Sequence, residues 1–172
     1  MEEDSTGEGR RESPRHRIRL RGPWQVEPVS WLELTDERTL LENKDRPLPP
    51  SGMVKVPGDW GSLLGNEFRG RVVFTRRFGR PLNLDPTVPM ELTLEGVDAR
   101  AELWLNGERL GEIPWGRFSG RFPLPVPLLS RNELRIQVDC PAMGAKVSRS
   151  LRPADRGDQP GGLFADVTLD FL

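Results

Sequence analysis

Seventeen prolines and eighteen glycines are scattered through 172 residues, and that punctuation limits the fold more than any other feature of the chain. A proline inside a helix removes a backbone donor and clashes with the preceding turn, so long helices do not fit between breaks this frequent. Short strands do. Residues 71–78, RVVFTRRF, alternate and are rich in β-branched and aromatic side chains. Residues 90–97, MELTLEGV, set Leu92 and Leu94 on one face and Glu91, Thr93 and Glu95 on the other. Leu103 and Leu105 lead into Asn106-Gly107, a pair suited to a two-residue turn with positive φ, so 101–113 predicts a hairpin. Alternation points Leu134, Ile136, Val138 and Cys140 inward, and Val167, Leu169 and Phe171 likewise. Residues 121–129, RFPLPVPLL, carry too many prolines for a central strand and predict an edge strand or irregular chain. Only 30–43 shows some helical spacing, and it predicts at most one short helix or a strand. Short strands with turns every few residues indicate an all-β sandwich or barrel.

Composition excludes several chemistries. Acids and bases nearly cancel, at a formal charge of -1, so overall charge favours no nucleic acid partner. A single cysteine, Cys140, and a single histidine, His16, leave no intrachain disulfide, no cysteine or histidine zinc site and no histidine-based triad in an ordered region. Neither 83–86 nor 96–100 concentrates enough acids for a calcium loop, and no metal or cofactor site is predicted. No apolar run approaches the roughly 20 residues of a membrane span, so no membrane partner is predicted. Residues 1–17 contain Met1 as their only large apolar residue and read as a disordered tail, with the sandwich over 18–172. That tail lacks the apolar core of a secretory signal, which reads as a cytoplasmic protein or one whose signal was removed.

Six segments then fall in a familiar order. They are Leu20-Arg21-Gly22-Pro23-Trp24, Val54-Lys55-Val56-Pro57-Gly58-Asp59-Trp60, Gly70 to Phe78, Gly96-Val97 with Leu103-Trp104-Leu105-Asn106-Gly107 and Leu110-Gly111, Asn132 to Val138, and Gly161 to Val167. This run resembles the sugar-binding domain of family 2 glycoside hydrolases, which include β-galactosidases, β-glucuronidases and β-mannosidases. The resemblance implies a jelly-roll β-sandwich of the galactose-binding type. In that family an immunoglobulin-like domain and a catalytic barrel follow, the barrel carries both catalytic glutamates, and no position here inherits that role. The chain is therefore expected not to be an enzyme.

A pyranose is held by an aromatic ring against its apolar face and a few polar groups on its hydroxyls. Trp24 and Trp31 sit in alternating segments and read as core. Trp104 points away from Leu103 and Leu105, and cover by a loop or neighbouring strand is favoured over exposure. Trp60, in a Gly-rich loop, and Trp115, between two strands, are the ligand candidates, with Arg117 and Asp166 beside them in an open groove. The resemblance places Asp166 where the family's closing Arg-Asp-Val aspartate contacts the sugar; Ala165 replaces the arginine, and a structural role is the alternative. Three functions are in view: a non-catalytic carbohydrate-binding module; an accessory domain with a protein partner, its sugar binding lost; and a diverged enzyme or fragment of one. Rings exposed beside Arg117 or Asp166 favour the first, and buried rings favour the second.

Overall fold

The computed structural model describes residues 16–83, 85–125 and 127–172. The first half of the chain forms β1 (His16–Arg19), β2 (Pro23–Leu34), β3 (Leu40–Asn43), β4 (Gly52–Lys55), β5 (Gly58–Asp59), α1 (Gly61–Leu64), β6 (Gly70–Gly79) and β7 (Met90–Leu94). The second half forms β8 (Arg100–Leu105), β9 (Glu108–Ile113), β10 (Gly120–Pro123), β11 (Arg131–Cys140), β12 (Ala142–Met143), α2 (Ala145–Leu151), β13 (Gly162–Leu163) and β14 (Val167–Phe171). The architecture is the all-β sandwich expected from the alternation. A small sheet runs β1-β14-β7-β10. A large sheet runs β12-β2-β6-β11-β8-β9, with β3 and β4 also paired to β2, and β13 pairs with β5. Among the described residues no helix is long and apolar enough to cross a membrane.

Strand alternation supplies the core. Trp24, Val26, Val72, Phe74, Leu103, Ile136 and Val138 project from the large sheet onto Leu92, Leu94, Leu169 and Phe171 of the small one. Leu134, Cys140 and Val167 are buried with them, as their spacing predicts. Each fully buried side chain of this size contributes roughly 1.5–3 kcal/mol. The Asn106-Gly107 turn of the β8–β9 hairpin has φ of 52° and 83°, the left-handed pair that a tight turn of this kind requires. The proline-rich stretch behaves as expected too: β10 stops at Pro123 and lies at the edge of the small sheet.

Two features depart from the sequence reading. Residues 1–15 of the expected tail lie outside the described residues, while His16 and Arg17 belong to β1 rather than to the tail. Pairing with β14 starts earlier because Arg17 donates through Nε and Nη2 to Asp170 at 2.8 and 3.2 Å, and the His16 ring stands 5.7 Å from that of Phe171. Residues 30–43 contribute strand and no helix, the second of the two forms expected of them. Within β2 the register against β6 slips between Pro28, opposite Val72, and Ser30, opposite Arg71. Val29 is thus an extra residue, a bulge. Ahead of it Trp24 and Val26 face the sandwich interior; beyond it Leu34 faces outward and packs with Val147 and Leu151 of α2. The helix α2, unforeseen in the sequence, lies on one part of the large sheet's outer surface.

Candidate functional site

The five tryptophans divide by what occupies them. Trp24 is fully buried and donates its indole N–H to the Leu20 carbonyl at 2.9 Å. Trp31 is half-buried; it donates to the Pro47 carbonyl at 3.0 Å, meets Phe68 edge-on, and carries the Arg46 guanidinium 3.5 Å from its ring centroid. Arg46 and Pro47 thus already engage the ring that lines the groove formed with Glu33, Leu41 and Glu67.

Trp60, expected to face a ligand, has no exposed surface. Its ring lies among core side chains, its N–H bonds the Phe68 carbonyl at 3.2 Å, and Gly161 lies against it so closely that a Cβ there would sit 2.5 Å from the ring. The Gly-rich loop folds inward instead of out, so Trp60 is a correction to the predicted site. Trp115 is half-buried against the Leu34, Val147 and Leu151 cluster, with the Arg100 guanidinium 4.9 Å from its centroid. Arg117 is exposed on the turn that follows and makes no side-chain hydrogen bond or ion pair among the described residues.

Asp166 stands at the same end of the sandwich: its carbonyl accepts from Glu95 N–H, and Val97 N–H donates to the carbonyl of Phe118. Its carboxylate is held by Arg19 at 3.1 Å and Arg21 at 3.7 Å. Trp60, Trp115, Arg117 and Asp166 do not line one open groove.

Trp104 remains. It is half-buried on β8, as Trp31 and Trp115 are, and among the described residues no partner takes its indole N–H and no cation covers its ring. Most of its surface is covered, and part of it is exposed. Register places Arg135 directly across from it on β11, Thr75 beyond on β6 and Gln25 on β2, with Arg109 on its other side on β9. This row crosses five strands on the part of the outer surface that α2 leaves open. The cue in the sequence was the opposite phase of Trp104 to Leu103 and Leu105.

The buried carboxylates are occupied by guanidinium groups. Asp98 pairs with Arg152 at 3.0 Å and Arg156 at 2.8 Å. Asp139 pairs with Arg71 at 2.9 Å and Arg100 at 2.6 Å, and Arg71 reaches on to Glu42. The hydrogen bond to Asp139 raises the Arg71 pKa, and a hydrogen bond from Ser30 lowers that of Glu42. For Asp170, burial alone pushes the pKa up, but hydrogen bonds from Arg17 and Thr93 outweigh it and hold the carboxyl below its ordinary value. Carboxylates tied down in this way are poor general acids or nucleophiles, because those roles need an accessible group.

No family model matches the chain. A putative β-glucuronidase of Formosa agariphila is 30% identical over 79 residues, 45% of this chain and 7% of that protein. Among solved structures, Bifidobacterium dentium β-glucuronidase complexed with coumarin-3-O-glucuronide matches 92% of this chain and 30% of its own, at 22% identity and a TM-score of 0.61. A family 2 β-galacturonidase from Eisenbergiella tayi bound to galacturonate matches 94% and 26%, at 17% identity and 0.63. A β-D-mannosidase from Dictyoglomus thermophilum matches 91% and 22%, at 19% identity and 0.60. The chain therefore has the fold of the sugar-binding sandwich of family 2 glycoside hydrolases. It spans less than a third of the length of each of these enzymes and does not include their catalytic domain.

Proposed function

We propose that this chain is a non-catalytic carbohydrate-binding module. The observation that supports it is Trp104, a half-buried indole on a polar sheet face, with no hydrogen-bond partner and no cation on its ring among the described residues. Stacking on an aromatic ring with polar groups alongside is how proteins hold pyranoses. The fold shared with enzymes of β-linked sugars agrees with this reading. Catalysis is not part of it, because the buried carboxylates are bound by arginines. A glycan array carrying mono- and oligosaccharides of both neutral and acidic sugars is the test. Signal on some β-linked glycan supports the module; silence across the array overturns it. Turnover of aryl β-glycosides by the pure protein would overturn the non-catalytic part.

A second reading, an accessory domain with a protein partner, has its own support. Trp60 is buried and Trp115 packs under α2, the outcome that favours this reading; Asp166 is paired with Arg19 and Arg21, and Leu82 and Leu129 are exposed beside the proline-rich connections. On this reading the array is silent, and Leu82→Asp weakens association with a partner while leaving stability unchanged.

A further inference from the structure

We infer that the open half of the large sheet's outer surface binds a linear, uncharged, β-linked oligosaccharide laid across the strands, with Trp104 as its platform. The inference rests on the carbohydrate-module reading and adds the location, shape and charge of the ligand.

Location follows from what the tryptophans are doing. Four of the five rings are occupied by backbone carbonyls, by guanidinium groups or by the cores on either side of the large sheet. Trp104 is half-buried, but among the described residues no hydrogen bond and no guanidinium engages its ring. Its neighbours are long or polar side chains whose tips reach solvent: Gln25 and Arg135 are exposed, and Thr75 and Gln137 half-exposed.

Shape follows from the register. Gln25, Thr75, Arg135, Trp104 and Arg109 form one row across five adjacent strands. Strands lie ~4.8 Å apart, so the row spans ~19 Å. A β-linked pyranose chain repeats at a similar distance, which places about one sugar unit over each strand. A row of this length on a sheet without a closed pocket suits an extended chain better than a single sugar. On one side it is bounded by the Arg71–Asp139–Arg100 pairs and the Trp115–α2 cluster, which direct the chain along the row.

Charge follows from the pairing. Arg109 is balanced by Glu102 at 3.4 Å and Glu112 at 3.6 Å. Arg135 and Glu27 are the groups here without an ion pair among the described residues, and they have opposite signs. The surface has no excess charge to attract a polyanion, while its amide, hydroxyl and guanidinium groups match sugar hydroxyls.

The test is calorimetric titration of the full chain with cello-, manno- and xylo-oligosaccharides of one to six units, and with a β-linked oligouronate of matched length. Affinity is expected to rise at least tenfold from one unit to four in a neutral series and then level off. Trp104→Ala is expected to lower it at least tenfold, and Arg135→Ala several-fold, with melting temperatures that fall by no more than about 4 °C. If Trp104→Ala does not fold, Arg135→Ala and Thr75→Ala carry the test. Binding of a monosaccharide as tight as that of a tetramer, or binding that survives Trp104→Ala, overturns the inference while the module reading stands. Preference for the oligouronate overturns the uncharged ligand. Loss of self-association on Trp104→Asp, measured by sedimentation, overturns it in favour of a contact between copies. No binding of any sugar overturns the module reading itself.

Discussion

Arg156 holds Asp98 through two donors, Nε at 3.3 Å and Nη2 at 2.8 Å, and Asp98 has no exposed surface. Arg152 completes the clamp from the other side at 3.0 Å. Both arginines also bind backbone carbonyls of the segment that follows α2: Arg152 that of Gly157, and Arg156 that of Pro160. The carboxylate therefore organises the approach to β13. Removing it strands two buried cations, and losing one partner of a buried pair costs about 3–5 kcal/mol. Asp98→Ala is expected to lower stability by that amount in urea denaturation. Asp139→Ala should cost less, about 2 kcal/mol, because Arg71 and Arg100 are partly exposed and water solvates them.

Tryptophan substitutions separate core from surface. Trp60→Ala removes a ring with no exposed surface and is expected to cost about 3–5 kcal/mol. Trp104→Ala, on the open sheet, should cost about 1 kcal/mol or less. Equal losses in parallel denaturation curves would mean that Trp104 is covered.

Acid should loosen the attachment of β1. Asp170 titrates below its ordinary value of about 3.9, so its contribution is fully present above that pH. It fades as pH falls through the folded-state value, where the carboxyl takes a proton and its bond to Arg17 weakens. Arg17→Ala is expected to cost about 1 kcal/mol at neutral pH, a modest figure because Arg17 is a third exposed. The variant should also show a flatter fall of stability below about pH 4 than the parent chain. Matching slopes would remove Asp170 from the account.

Cys140 should be silent to thiol reagents in the folded state. Burial pushes its thiol up to about 12, and it has no exposed surface. Only the thiolate reacts, so alkylation at pH 8 is expected to proceed in denaturant and to stall without it. Rapid labelling of the native chain would mean that β11 opens locally.

The strands were legible because their signal is local. Leu134, Ile136, Val138 and Cys140 announce their face by spacing alone, and Asn106-Gly107 announces its turn by backbone preference. Features that depend on partners far along the chain were not legible. Arg71, Arg100 and Asp139 meet across three strands, and no short window contains them. The helix α2 buries only Val147 and Leu151, too few for a periodic signal. Trp60 looked like a ligand residue because glycine-rich loops are usually outside, yet Gly161 leaves room for this one to fold into the core. Trp104 shows its outward phase by spacing, but how far it is covered depends on Arg135 and Arg109 across the sheet, which no short window contains.

The extra residue in β2 acts as a change of phase. Without the bulge at Val29, β2 would keep a single beat from Trp24 to Leu34, and Trp24, Val26 and Leu34 would all drop into the same interior. With it, one strand belongs to two hydrophobic layers and ties the helix on its back to the sandwich in front. Straightening β2 with all its residues kept would turn Leu34 away from α2 and strand the helix without a floor, whereas deleting Val29 would remove the bulge and leave Leu34 where it is.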